Sequence, residues 1–196
     1  AGEITFKDVT SFNLDEYYPL APTHDQSYRY FMNTNLFDNV DIDKANTNVP
    51  DGLAEDPAAM GAAYDAEIEA AGGIDLQVLG LGPNGHIAFN DPPVADFNDP
   101  KIAKPVELDE VCRNQQVNDG CFASIDQVPT HAMTLTVPTL VAAPYLFCIV
   151  PAPTKAKAVY ETINGTIDEH CPASILRLQN NAILYLDDKS SALLNN

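Results

Sequence analysis

The chain has 196 residues, 45% of them apolar, and a formal net charge of −18. This length and apolar content suit a sizeable core, so we expect a single domain over residues 1–196. The negative charge disfavours nucleic acid and anionic membranes as partners, and no apolar run reaches the ~18 residues of a membrane helix. The first residues lack a basic start and an apolar block, so we expect a soluble, cytoplasmic protein.

Hydrophobic patterning predicts alternating strands and helices along the chain. The predicted strands cover residues 4–14, 74–79, 132–137, 145–150 and 182–186. The predicted helices cover residues 24–37, 56–71, 106–122, 155–163 and 173–178, and the Pro-, Asp- and Asn-rich stretch 92–105 is interpreted as a loop and candidate lid. This alternation is typical of an α/β, Rossmann-like fold with a mainly parallel sheet and helices on both faces.

The strand predicted at 74–79 is expected to be buried and runs into a glycine-rich loop, Gly80-Leu81-Gly82-Pro83-Asn84-Gly85-His86. Ligands of open α/β sheets bind beside the carboxyl ends of strands, so a site is expected here. The Gly-x-Gly-x-x-Gly spacing formally matches the dinucleotide fingerprint, but that motif needs a helix opening at its last glycine. Pro83 and the following Asn90-Asp91-Pro92-Pro93 disfavour such a helix, so we expect no cofactor.

His86 is the strongest candidate for chemistry in this loop. It lies two residues after Asn84 and five before Asp91. An imidazole can transfer a proton at physiological pH, and a carboxylate that folds back towards it would orient it. A plain loop histidine that binds a backbone group fits the same spacing, so the residues alone leave the catalytic interpretation open.

Asp15 and Lys155 lie near other predicted strand ends. Asp15 follows the end of the first predicted strand, where a carboxylate is well placed for acid–base chemistry. Lys155 opens a helix just after the strand 145–150, where a helix N-terminus and a lysine can receive a phosphate. A turn residue and a solvent-facing lysine are the ordinary alternatives.

The chain contains four cysteines, whose spacing matches no zinc pattern. We therefore expect free thiols and no metal site. The cysteines are Cys112, Cys121, Cys148 and Cys171.

Two blocks of the sequence resemble the glucosamine-6-phosphate deaminase/isomerase family. One is Gly85-His86-Ile87-Ala88-Phe89-Asn90-Asp91-Pro92, and the other is Phe12-Asn13-Leu14-Asp15-Glu16-Tyr17. Two motifs in the family's order are far more specific than either alone. Similarity continues through residues 128–136, 155–158 and 172–176, and so covers nearly the whole chain.

The resemblance implies a Rossmann-like fold and the conversion of glucosamine 6-phosphate and water to fructose 6-phosphate and ammonia. Each step moves a proton, so acids and bases suffice. By motif match, His86 opens the sugar ring, Asp15 carries the proton from C2 to C1, and Asp91 orients His86. Asn84, a further candidate catalytic residue, stands where many members carry an acid.

The resemblance also implies how an amino-sugar phosphate would be held. Lys155 would bind the phosphate, while backbone groups at Gly80 and around Ala88 would line the sugar. A homo-oligomer is compatible with the sequence. The family's N-terminal βα unit, with its phosphate-binding loop, has no counterpart in these residues, so we expect that the chain lacks this unit.

Two further departures from the family leave the substrate open. Asp91 replaces the usual Glu, and Gln115 or Gln116 falls nearest the place of a phosphate-binding arginine. A 6-phosphogluconolactonase-like hydrolase is the nearest alternative, although its loop continues with Ser-Leu-Phe-Pro. A sugar-phosphate-binding domain without turnover is the other alternative.

Overall fold

A computed structural model of the chain describes residues 3–108 and 110–194. Within these residues the strands are β1 (Ser11–Phe12), β2 (Asp15–Tyr18), β3 (Thr47–Asn48), β4 (Leu76–Leu79), β5 (Ala103–Glu107), β6 (His131–Leu135), β7 (Tyr145–Val150) and β8 (Ala182–Leu186). The α-helices are α1 (Tyr28–Met32), α2 (Pro57–Ala70), α3 (Glu110–Asn118), α4 (Val137–Val141) and α5 (Ala156–Asn164). A π-helical segment, Asn33–Phe37, extends α1, and 3₁₀ turns include Pro153–Lys155 and Pro172–Leu178.

The contacts within the chain divide it into two compact units. The first unit comprises Ala1–Tyr64 and Pro105–Thr134, and the second comprises Asp65–Lys104 and Leu135–Asn196. The interpretation of residues 1–196 as a single domain stays a prediction.

The first unit contains two kinds of strand pairing. Strand β1 pairs in parallel with β3. Strand β2 pairs antiparallel with β6, with Asp15 opposite Thr134, and β5 lies on the other side of β6. Helix α1 begins after Ser27, whose hydroxyl accepts the N–H of Tyr30 at the helix N-terminus. This unit therefore carries Asp15 at the start of an antiparallel strand.

The second unit is built on the parallel sheet β4-β7-β8. Side chains alternate across a sheet, and one face buries Leu79, Leu146 and Cys148. The opposite face carries half-exposed apolar side chains, namely Leu76, Val78, Tyr145, Ile149, Ile183 and Tyr185. The prediction that the strand at 74–79 is buried is thus correct for only one face, because apolar residues on both faces do not by themselves supply a covering layer.

The α/β fold with parallel strands and helices is confirmed, and six of the predicted elements keep their place. The strand at 74–79 forms as β4, two residues shorter at its start, and the helix at 155–163 forms as α5, shifted by one residue. The strands at 145–150 and 182–186 have the predicted bounds, and the helix at 56–71 forms as α2. Strand 132–137 forms as β6, one residue earlier at its start and two residues shorter at its end. These segments have strong local patterns, so local propensity and tertiary structure agree.

Three predicted boundaries are wrong. The first predicted strand, residues 4–14, forms only at Ser11–Phe12, and Asp15 begins the separate strand β2 instead of following one long strand. Strand β5 begins inside the predicted loop 92–105 and occupies the start of the helix predicted at 106–122, because pairing with β6 overrides the local helical pattern. The helix predicted from residue 24 begins only at Tyr28, after its Ser27 cap.

Within the described part of the chain, no helix is long and apolar enough to cross a membrane.

The two faces of the parallel sheet are expected to differ in their contribution to stability. Leu146 is 1% exposed and Ile149, on the same strand, is 52% exposed. Leu146→Ala should lower the free energy of unfolding by about 2–5 kcal/mol through lost burial and a residual cavity. Ile149→Ala should lower it by less than about 1 kcal/mol. Urea unfolding of both variants measures the difference, and equal losses would mean that the Ile149 face is covered in solution.

Candidate active site

The glycine-rich loop after β4 is held by backbone hydrogen bonds. The N–H of Gly82 donates to the carbonyl of His86 (2.9 Å), and the N–H of Gly85 donates to the carbonyl of Gly82 (3.0 Å). Gly85 has φ 83°, in the left-handed region that glycine tolerates best. Its carbonyl accepts the N–H of Ala173 (2.8 Å), which ties the loop to the 3₁₀ turn Pro172–Leu178. The loop is therefore a closed turn with an external anchor.

The structure brings His86, Asn84 and Asp91 together. Asn84 Oδ1 lies 3.1 Å from the backbone nitrogen of His86 and 2.7 Å from its Nδ1. Asn84 Nδ2 donates to Asp91 Oδ1 (2.8 Å), and the same oxygen lies 3.0 Å from His86 Nδ1. The side chains of His86 and Asp91 are largely buried, with 25% and 13% exposed. The predicted orientation of His86 by Asp91 thus has matching geometry.

These contacts determine the tautomer of His86. A backbone N–H can only donate, so the Asn84 atom that faces His86 must be its amide oxygen. An amide oxygen can only accept, so Nδ1 carries the proton that it shares with Asn84 and Asp91. In the neutral imidazole Nε2 then has a lone pair and is the atom that can accept a proton from a ligand.

Gly82 lies directly against the imidazole. A Cβ atom built on Gly82 would lie 2.2–2.3 Å from three ring atoms of His86, far inside contact distance. A Cβ built on Gly80 would meet nothing within 4 Å. The chain therefore needs a glycine at position 82 for the observed ring position, and the space beside Gly80 is open.

Asp91 is placed by its buried neighbour Asn90. The Asn90 side chain is inaccessible to solvent, and its Nδ2 donates to the carbonyls of Ile87 (3.0 Å) and Leu135 (2.8 Å). Ile87 is also fully buried, and Ala88 between them has φ 50°. Gly82 and Asn90 both lie in motifs that the sequence shows, but residue type and spacing alone assigned neither of them a role.

A cavity of about 390 Å³ borders this loop at Asn84. Helix α5 contributes Lys157 and Glu161 to its wall, and the segment after α5 contributes Asp168 and His170. Lys155 is half-buried at the end of the 3₁₀ turn that precedes α5. The roles predicted for Lys155, Gly80 and Ala88 in holding a sugar phosphate stay predictions.

Asp15 belongs to the first unit, where it is half-buried. Removal from water disfavours the ionised carboxylate, and the negative charge of Glu16 adds to the effect, so the pKa of Asp15 is raised to about 7. A carboxyl group with this pKa can both take up and release a proton near neutral pH, which suits a general acid–base catalyst.

The region where the family carries a phosphate-binding arginine forms hydrogen bonds within this chain. The Arg113 guanidinium donates to the carbonyls of Ile125 (2.7 Å) and Val128 (2.9 Å). Gln115, in α3, donates to Asp119, which directly follows the helix (3.2 Å). Arg113 therefore supports a neighbouring turn in this structure. Among the residues described, no group of three or more His, Cys, Asp or Glu side chains could hold a metal ion.

Replacing Gly82 should move the His86 ring. Gly82→Ala forces the imidazole out of contact with Asn84 and Asp91, since its new methyl group would overlap the ring atoms. ¹⁵N chemical shifts of the His86 ring, with and without the substitution, should show loss of the single Nδ1-protonated tautomer. Gly80→Ala is the matched control, because its methyl group meets open space. An unchanged ring signal in Gly82→Ala would contradict the close contact.

The raised pKa of Asp15 predicts a pH-dependent penalty on folding. Between about pH 4 and pH 7 the folded chain keeps the Asp15 proton that the unfolded chain has released, so raising the pH lowers the free energy of unfolding. Asp15→Asn does not titrate, so its stability relative to wild type should rise across this range and level off above it. Urea unfolding near pH 5 and pH 8 measures the difference.

Asp126→Asn, at an exposed carboxylate, is the control for this experiment. Its stability relative to wild type should change less with pH than that of Asp15→Asn. A pH-independent difference for Asp15→Asn would show that the Asp15 carboxyl is ordinary.

Comparison with known proteins shows extended sequence similarity. Residues 1–185 match the family model described as glucosamine-6-phosphate isomerases/6-phosphogluconolactonase. The chain is 42% identical over 193 residues to the glucosamine-6-phosphate deaminase of Shewanella woodyi, covering 98% of this chain and 71% of that protein. It is 44% identical over 194 residues to the glucosamine-6-phosphate deaminase of Clostridium perfringens (strain SM101), covering 98% and 78% respectively.

Solved structures show the same relationship. A monomeric glucosamine-6-phosphate deaminase superposes with a TM-score of 0.90 at 33% identity, covering 96% of this chain and 76% of that one. The 6-phosphogluconolactonase of Thermotoga maritima superposes with a TM-score of 0.74 at 22% identity, covering 94% and 74%, and supports the fold alone. This chain therefore belongs to the glucosamine-6-phosphate isomerase/6-phosphogluconolactonase family, as the two motifs predict.

Proposed function

We propose that this protein catalyses the conversion of glucosamine 6-phosphate and water to fructose 6-phosphate and ammonia. The observation that carries the proposal is the contact of His86 Nδ1 with both Asn84 Oδ1 (2.7 Å) and Asp91 Oδ1 (3.0 Å). This arrangement leaves Nε2 to exchange protons with a sugar. The similarity to relatives named glucosamine-6-phosphate deaminase supports the choice of reaction.

Ring opening is the step assigned to His86. Its Nε2 takes the proton of the O1 hydroxyl and returns a proton to the ring oxygen as the C1–O5 bond breaks. The positive charge that develops on the imidazole faces Asp91, whose carboxylate stabilises it. The amide oxygen of Asn84 holds the ring by accepting a hydrogen bond from the Nδ1–H group of His86. Asn84 takes no part in proton transfer, since an amide oxygen has no proton to give.

Isomerisation is the step assigned to Asp15. Its carboxylate removes the proton from C2 while a proton of the 2-amino group passes to O1, and the resulting carboxylic acid then delivers the C2 proton to C1, which leaves a C2 imine. Water then adds to C2 and ammonia leaves, giving fructose 6-phosphate. A pKa of about 7 fits an acid that alternates between both forms. The reaction is an isomerisation with deamination, in which Lys155 binds the phosphate and the backbone at Gly80 and Ala88 lines the sugar.

Two other functions compete with this proposal. Lactone hydrolysis is supported by the family model, whose description includes 6-phosphogluconolactonase, and by fold similarity at 22% identity. The loop here continues with Asn90, whose buried amide holds two backbone carbonyls, and so differs from the Ser-Leu-Phe-Pro sequence expected for a lactonase. A binding-only domain has no need of a positioned histidine tautomer beside a carboxylate.

We also propose that the protein is cytoplasmic.

Turnover of glucosamine 6-phosphate tests the proposal. The wild-type protein should release equimolar ammonia and fructose 6-phosphate. Asp15→Asn and His86→Ala should each lower kcat by about 10²–10⁴-fold, since each removes one proton-transfer group. Coupled assays for ammonia and for fructose 6-phosphate give the two product rates.

His131→Ala removes an exposed histidine from strand β6 and is the matched control, with kcat expected near wild type. No ammonia from a folded wild-type protein would overturn the deaminase assignment. Hydrolysis of 6-phosphogluconolactone under the same conditions would favour the lactonase instead.

A further inference from the structure

Glu16 is a buried acid that the proposed reaction does not use. Glu16 is only 2% exposed and directly follows Asp15 in strand β2. A buried carboxylate is costly unless its oxygens are hydrogen-bonded. The family resemblance assigns no role to this position, so its contacts must explain why an acid is buried beside the proton carrier.

Four donors surround the Glu16 carboxylate. Oε1 accepts the backbone N–H groups of Tyr17 (2.9 Å) and Tyr28 (3.0 Å). Oε2 accepts the Ser27 hydroxyl (2.8 Å) and the N–H of Arg29 (3.0 Å). All four partners donate, which matches the ionised carboxylate, an acceptor on both oxygens. Three of the donors come from the start of helix α1, so Glu16 ties strand β2 to that helix.

The register of β2 relates this anchor to Asp15. Asp15 lies opposite Thr134 and Glu16 opposite Met133 in the antiparallel ladder with β6. Successive side chains of a strand point to opposite faces, so the anchored carboxylate lies behind the strand from the Asp15 side chain. The same hydrogen bonds that hold Glu16 therefore hold the backbone from which Asp15 projects.

The other titratable groups around Asp15 are phenols and thiols. Tyr17 and Tyr28 stack with ring centroids 5.4 Å apart; burial raises the pKa of both phenols, and the charge of Asp15 adds to the rise. The thiols of Cys112, in α3, and Cys121, just after α3, also raise the pKa of Tyr17. The Arg29 guanidinium donates to the hydroxyl and the carbonyl of Thr47, and its positive charge also interacts with the Glu16 carboxylate that its own backbone N–H binds. Glu16 is the acid that acts directly on Asp15.

We propose that Glu16 is a positioning residue for Asp15: the helix-anchored Glu16 carboxylate fixes strand β2 and places a negative charge behind the Asp15 side chain. The role rests on the proposed function of Asp15 as the proton carrier. Burial has the larger effect on the pKa of Asp15, and the charge of Glu16 raises that pKa further, so that Asp15 keeps its proton up to about neutral pH. Without it, Asp15 would be a weaker base and would release its proton too early to return it to C1.

The experiment is the titration of Asp15 in the whole chain, followed by ¹³C NMR of Asp and Glu carboxyl carbons. Glu16→Gln keeps the shape of the side chain and removes the charge. The midpoint of Asp15 should fall by about one pH unit, as expected for loss of a neighbouring like charge. The acid limb of the kcat/KM profile should shift by the same amount in the same direction.

Ser27→Ala is the matched control. It removes one hydrogen bond to the same carboxylate but leaves its charge. Ser27→Ala should therefore lower stability while the Asp15 midpoint stays near that of wild type. Equal shifts in Glu16→Gln and Ser27→Ala would reduce Glu16 to a structural role and overturn the proposal, as would an unchanged midpoint in Glu16→Gln.

A measurement on wild type covers the case in which Glu16→Gln does not fold. The Glu16 carboxyl signal should stay at the chemical shift of an ionised carboxylate while the Asp15 signal titrates. If the two signals move together, Glu16 does not stay ionised while Asp15 titrates, and the proposal fails. These titrations need no turnover, so a failure of the deaminase assay leaves them interpretable, and deaminase activity with an unmoved Asp15 midpoint overturns the role of Glu16 alone.

Discussion

The candidate site in the second unit depends on the close contact between Gly82 and the His86 ring. The backbone folds back between these two residues, and the hydrogen bond from Gly82 N–H to the His86 carbonyl closes the turn. Any side chain at position 82 would overlap the imidazole. With the ring confined on this side, Asn84 and Asp91 need only short contacts to select its tautomer. The glycine-rich loop thus positions the His86 side chain, and the ring contact gives a steric reason for the glycine at position 82.

The replacement of the usual Glu by Asp91 is accommodated by Asn84. A shorter acid reaches less far, and a displacement of about 1 Å is costly in an active site. Here Asp91 Oδ1 still lies within 3.0 Å of His86 Nδ1, and the Asn84 amide bridges both residues. Buried Asn90 fixes the backbone from which Asp91 starts. The pairing of Asn84 with Asp91 is therefore a consistent solution, in which the amide supplies geometry and the carboxylate supplies charge.

The two candidate proton carriers reach their properties by different means. An imidazole can take up and release protons at physiological pH, so the contacts of His86 have only to fix which of its nitrogens carries the proton. A carboxyl group is ordinarily ionised at that pH, and burial beside a charged neighbour raises the pKa of Asp15 to about 7. A carboxyl group whose ionised form is disfavoured in this way lowers stability at high pH, which is a common cost at functional sites. The buried Glu16 network explains how the chain holds such a group in place.

Sequence alone determined the family, the α/β class and most candidate residues, because the His86 and Asp15 motifs combine rare residue types in a given order. The parallel strands at 145–150 and 182–186 were also predictable, since their short length and their β-branched and aromatic residues favour strands over helices. Only the tertiary structure decided that β5 replaces part of a predicted helix, because its pairing with β6 is non-local. The tautomer of His86, the steric need for Gly82 and the four donors of Glu16 likewise depend on distances between atoms, which residue spacing does not specify.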